Sequence, residues 1–136
     1  IRRQRQMCIE TALNETWETL RELLTEKGVL IVAVPNCSSY DAKRYGEYWA
    51  AYDVPRHLWH FTPGTIQQLA SRHGFIMAAR HPMPFDAFYV SMLSEKHRGS
   101  SCSFLKGVFA GTLAWFNALG RKERSSSMIY VFRKKR

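Results

Sequence analysis

The spacing of apolar residues changes once early in the chain, and the change separates two elements. Ile9, Leu13, Trp17, Leu20 and Leu24 recur at intervals of four, four, three and four, which is one stripe of an α-helix. Glu10, Glu15, Glu18, Arg21 and Glu22 fall largely off that stripe, so the pattern predicts an amphipathic helix. Gly28 is placed to stop it, because glycine takes the left-handed conformation at little cost. Directly afterwards, GVLIVAVPN (28–36) is an unbroken apolar run rich in β-branched residues. It predicts a strand buried on both faces, as inside a parallel sheet, ended by Pro35, which has no N–H for a ladder.

Residues 37–61 hold Tyr40, Tyr45, Tyr48, Trp49, Tyr52, Trp59 and Phe61 among few aliphatics, which predicts a long aromatic loop with a helical turn over 40–49. Thr62 then caps a second helix with Pro63 in its first position, Ile66 and Leu69 on its buried face, and Gly74 closing it. FIMAARHPM (75–83) reads as a second strand and SMIYVFRK (127–134) as the last. Between them, 85–120 is apolar and helical in character, broken near HRGSS (97–101). Phe104, Val108, Phe109, Leu113, Trp115 and Phe116 leave two readings open, a core helix or one that covers lipid or substrate. Lys106 interrupts the run, which is shorter than the roughly 20 residues a membrane span needs. Gly107 and Gly111 would let another backbone come close. The whole reads as one α/β domain over 1–136 with a helical insertion at 85–120.

Composition narrows the partners. A hydrophobic fraction of 46% and an aromatic fraction of 13% exclude a disordered tail. A formal charge of +9 points to anionic partners. Much of it sits at the ends, in Arg2, Arg3, Arg5, Arg133, Lys134, Lys135 and Arg136, where solvated termini are the plain reading. No interior basic stripe is interleaved with stacking aromatics, which disfavours nucleic acid and leaves a membrane surface or a phosphorylated small molecule. Cys8, Cys37 and Cys102 form no CxxC pair, so zinc, redox and disulfide chemistry are not indicated and a reduced, cytoplasmic setting fits best. The first residues are charged and polar, unlike a secretory signal, and a start at Ile1 fits a piece of something longer.

The densest chemistry lies in DVPRHLWHFTP (53–63). His57 and His60 sit three apart with Asp53 four before the first, but a zinc site needs three or four ligands, and HxxH alone predicts no metal. As catalytic candidates, both histidines could carry protons at neutral pH; as structural ones, each could brace the loop by donating a ring N–H to a carbonyl. Arg56 and Asp53 could form an ion pair across a turn, or Arg56 could hold an anionic substrate. GxSxG, P-loop and GxGxxG motifs are all missing from the chain.

Taken together, LLTEKGVLIVAVPN (23–36), SSYDAKRYGEYWAAYDVPRHLWHFTPGTIQQLASRHGF (38–75) and PMPFDAFYVSMLSEK (82–96) resemble the class I S-adenosylmethionine-dependent methyltransferases, in the subgroup with a Pro-Arg-His-Leu-x-His-Phe-(Thr/Ser)-Pro loop. The match covers roughly residues 20 to 95. It implies a partial Rossmann-like methyltransferase fold, with GVLIVAV, FIMAARHPM and SMIYVFRK similar to the fifth, sixth and seventh strands of a seven-stranded sheet, the seventh lying between the other two. It implies S-adenosylmethionine as cofactor and a small-molecule or lipid methyl acceptor, anionic or apolar. By the same resemblance, Asn36, Tyr52, Asp53 and Arg56 would bind substrate, with His57 and His60 as the catalytic pair. The family's glycine-rich turn and ribose-holding acid have no counterpart, so these 136 residues alone are not expected to bind the cofactor normally. Self-association through strand 29–34 or helix 104–119 is a further expectation. The competing reading is a non-catalytic module that binds acidic lipid or nucleic acid through its basic termini.

Overall fold

A computed structural model describes the backbone of residues 2–135 and the side chains from Ala12 onward. Ile9, Cys8, Glu10, Arg2, Arg3, Arg5 and Arg136 therefore lie outside the described side chains. The amphipathic stripe forms helix α1 (Arg2–Leu23), whose Trp17 is buried edge-on against Phe75 at 5.5 Å and Phe132 at 5.6 Å. The helix ends at Leu23, before the expected stop. A turn from Thr25 follows, in which the Gly28 N–H donates to the Thr25 carbonyl at 2.9 Å. Gly28 does not take the left-handed backbone there, and a Cβ would stand 2.7 Å from the Leu24 side chain, which would have to shift.

Three strands follow: β1 (Leu30–Pro35), β2 (Phe75–Met83) and β3 (Ser127–Lys134). Their order is β1-β3-β2, and β3 runs antiparallel to both neighbours, with Val32 opposite Tyr130 and Met77 opposite Phe132. The register shifts between Met77 and Ala79, so one β2 residue is left unpaired. Trp17, Ile66, Ala70, Phe75, Met128, Tyr130 and Phe132 form one core, packed between this sheet, α1 and α3 (Pro63–Arg72). The α3 start is capped as its sequence predicts: the Thr62 hydroxyl accepts from the Thr65 N–H at 3.2 Å, and Pro63 occupies the first turn.

The expectation for β1 needs correction. Leu30, Val32 and Val34 face the core, but Ile31 is 66% exposed and Ala33 lies on the same open face. Among the described residues the strand pairs on one side only and antiparallel, and both α1 and α3 lie against the same face of the sheet, so its second face stays bare. An unbroken apolar run thus reports two apolar faces without reporting that both are covered.

The aromatic segment folds as a short helix, α2 (Tyr40–Tyr45), and two 3₁₀ turns, Gly46–Tyr48 and Ala50–Tyr52. The 85–120 stretch forms α4 (Asp86–His97) and α5 (Ser103–Gly120), two helices packed on each other. Gly107 and Gly111 face α4 at Met92 and Phe88, the close approach their small size allows. A 3₁₀ turn at Lys122–Arg124 leads into β3. Among the described residues, no helix is long and apolar enough to cross a membrane. The architecture is mixed α/β: a three-stranded sheet and five α-helices among the described residues.

Candidate functional site

The site is assembled where β1 ends. Asn36 is 1% exposed, and its backbone N–H donates to the Ser126 carbonyl at 2.8 Å. Its side-chain amide donates to the carbonyls of Glu123 at 2.7 Å and Ser125 at 3.1 Å, and its Oδ1 accepts from the N–H and hydroxyl of Ser38. Every donor and acceptor of the amide is thereby spent on the protein itself. Asn36 buckles the end of β1 to the entry of β3, beside a cleft whose rim includes its neighbour Pro35.

Four hydrogen bonds then pin the aromatic segment. The buried carboxylate of Asp41 accepts on Oδ2 from the Trp49 indole N–H at 2.8 Å and from the Ser126 hydroxyl at 2.6 Å. Ser94 of α4 accepts from the Ala50 N–H at 2.9 Å, and the Tyr45 hydroxyl donates to Glu95 at 3.1 Å. Burial, reinforced by the charge of Glu95, pushes the Tyr45 phenol up to about 12, which keeps it a donor at neutral pH. Burial also pushes the Cys37 thiol up, away from thiolate chemistry. Replacing Asp41 by alanine should leave an indole N–H and a hydroxyl unpaired in the interior. The expected cost is about 3 kcal/mol of unfolding free energy in urea titration, with Asp41→Asn, which keeps one acceptor oxygen, losing less.

Between this segment and α4 lies a cleft of about 250 Å³. Ala50, Ala51, Val90 and Leu93 make its walls apolar, and Asp53, Arg56, His57, Asp86, Tyr89 and His97 supply polar groups. Asp53 has a positive φ of 38°, a conformation aspartate tolerates better than most residues, and its carbonyl accepts from the N–H groups of Arg56 and His57 at 2.8 and 3.0 Å. That tight turn, which also contains the cis Val54–Pro55 peptide, aims both side chains at the cleft. Arg56 stands 3.7 Å from the Asp53 carboxylate, a loose and exposed pair that leaves the guanidinium free for a further anion. His57 Nδ1 lies 3.1 Å from the Ala51 carbonyl. A carbonyl only accepts, so Nδ1 carries the hydrogen and Nε2 of the neutral ring keeps its lone pair.

The other expected residues stand apart from the cleft. His60 Nε2 lies 3.1 Å from the Tyr52 carbonyl and therefore donates to it, and its ring meets the Tyr52 ring edge-on at 4.9 Å. Tyr52 in turn packs edge-on against Trp49 at 5.0 Å. Tyr52 and His60 together brace the loop that presents His57. Sequence reasoning missed the contribution of α4, namely Asp86, Tyr89 and His97. Asp86 also accepts from the Ser127 hydroxyl, which ties the start of α4 to β3. The segment 82–96 carried the resemblance, yet nothing in it singled out a site residue. Among the described residues, no group of three or more His, Cys, Asp or Glu could hold a metal ion. Comparison with known proteins returned no matching family model, no matching curated protein and no matching solved structure.

Proposed function

We propose that this chain is the acceptor-facing, C-terminal portion of a class I S-adenosylmethionine-dependent methyltransferase domain. The observation that carries the reading is the position of the cleft. It opens at the carboxyl end of β1, in a sheet whose last strand lies antiparallel between two earlier ones. Ligands of open α/β sheets bind at such strand ends. The bare second face and the unpaired edge of β1 among the described residues support the reading too, because further strands would pair the edge and further helices would cover the face.

On this reading the cofactor is held by the other half of the domain. β1 runs into Pro35 and Asn36 and β2 into Met83 and Pro84, so neither strand leads into a glycine turn that could cradle the carboxylate of S-adenosylmethionine. What the chain supplies is the acceptor side. Arg56 holds an anionic group, the apolar walls exclude water, and His57 Nε2 takes a proton from the acceptor's nucleophile. The acceptor is a small molecule or a lipid.

The test uses the protein with its upstream coding sequence and transfer of a tritiated methyl group from S-adenosylmethionine to a cell extract. His57→Ala should lower methyl transfer by about 100-fold with cofactor binding unchanged. Arg56→Ala should act mainly on the acceptor concentration needed. Normal labelling by both variants would remove the two residues from the reaction.

A further inference from the structure

Helix α5 packs with its small side inward. Gly107, Ala110, Gly111, Ala114 and Ala118 are buried, with the two glycines set against Phe88 and Met92 of α4. The large residues face away from the protein: Phe104, Leu105, Val108, Phe109, Phe116 and Leu119 are each 38–70% exposed. Among them stands Thr112, whose hydroxyl donates to the Val108 carbonyl at 2.8 Å, and exposed Lys106 flanks them. Water therefore meets an apolar face that runs the length of an 18-residue helix, about 27 Å at 1.5 Å per residue. A face of that extent marks an interaction surface rather than scattered exposure.

The charge around this face selects its occupant. From Lys96 to Lys122 the chain holds Lys96, Arg98, Lys106, Arg121 and Lys122 and no aspartate or glutamate. At the N-terminal end of α5 the face opens into a groove of about 540 Å³, where Arg44, Arg98 and Lys106 converge beside Leu105 and Phe109. Ser100 also lines the groove, and its hydroxyl oxygen is buried without a partner. Glu95 is the one carboxylate in the lining, and it already accepts from Tyr45. A second copy of the chain would press one cationic rim against another. A small soluble ligand would fill the groove and leave the rest of the helix wet. An anionic bilayer meets both requirements, because acyl chains take the aromatic side chains while headgroup phosphates take the cations.

We propose that α5 docks the protein on an anionic membrane surface, with Phe104, Phe109 and Phe116 in the acyl boundary and Arg44, Arg98 and Lys106 on a lipid phosphate. The helix lies in the surface rather than across it, because Lys106 interrupts its apolar run and no helix among the described residues is long and apolar enough to cross a membrane. The surface is separate from the basic termini and independent of the methyl-transfer reading, so either can fail alone.

The experiment is flotation of the full chain with vesicles of phosphatidylcholine alone or of equal parts phosphatidylcholine and phosphatidylglycerol. Partitioning should favour the anionic vesicles by roughly 100-fold, since each cation near the surface contributes severalfold. Arg98→Glu with Lys106→Glu should erase the preference. Phe109→Ser with Phe116→Ser should lower binding by at least about tenfold, and circular dichroism should show the fold intact because both residues are exposed. No flotation with either vesicle, or flotation unchanged by the phenylalanine variants, would overturn the proposal. So would glycerol phosphate binding in the groove without vesicle binding, or a vesicle-free dimer that the phenylalanine variants turn into a monomer.

Discussion

Replacing Trp49 with alanine should lower the unfolding free energy by about 3–5 kcal/mol, the range for truncating a large buried aromatic. Trp49 is 1% exposed and is the largest of the fully buried side chains. It packs with Tyr45, Ala50, Ala51, Val90 and Ala110, so its loss opens a cavity where the aromatic segment, α4 and α5 meet. The substitution also takes the indole N–H from Asp41, whose other oxygen is buried without a partner. Two costs of one sign therefore add. Urea unfolding measures the sum, and Trp49→Phe, which restores most of the packing but not the hydrogen bond, should recover more than half. The effect should reach the cleft, because Ala50 and Ala51 form its wall and Ala51 orients His57. Amide exchange over residues 50–57 should quicken in Trp49→Ala more than exchange in β3.

Gly107→Ala should destabilise by about 2–3 kcal/mol, although alanine is favoured over glycine inside a helix by about 1 kcal/mol. An added Cβ would lie 2.5 Å from Met92 Cα and 2.9 Å from Met92 N. These are backbone atoms, which cannot rotate aside, so α4 and α5 must separate. Gly120, at the end of the same helix, has nothing within 4 Å of an added Cβ. Gly120→Ala should be neutral or slightly stabilising. A thermal melt of the two variants compares steric contact with helix propensity in one element, and equal melting temperatures would show that the helix pair yields freely.

Much of this architecture is legible in the sequence where local chemistry decides. Thr62-Pro63 starts α3 because a hydroxyl cap and a residue without an N–H suit a helix entry. The β-branched run at 28–36 gives β1, and FIMAARHPM and SMIYVFRK give β2 and β3. Periodicity fails where burial depends on a distant partner. It counts alanine and phenylalanine alike as apolar, so it could not show that α5 buries Ala110 and Ala114 and exposes Phe104 and Phe109. Nor could it show that one face of β1 is bare. The candidate site divides the same way. Asp53, Arg56 and His57 share one tight turn and could be read together, whereas Asp86 and His97 join them only after α4 folds back onto the aromatic segment. In the sequence Asn36 is a polar residue at a strand end, and no local pattern tells what its amide meets. Its four side-chain hydrogen bonds run to Ser38, Glu123 and Ser125, two of them to carbonyls more than eighty residues away.

Calorimetric titration of S-adenosylmethionine is the most direct test of whether this is the acceptor side of a methyltransferase. It should be run on the 136-residue chain and on the same chain preceded by its upstream coding sequence. The extended protein should bind saturably, and the chain alone should give no binding heat. Tight binding to the chain alone, or none to the extended protein, would contradict the assignment.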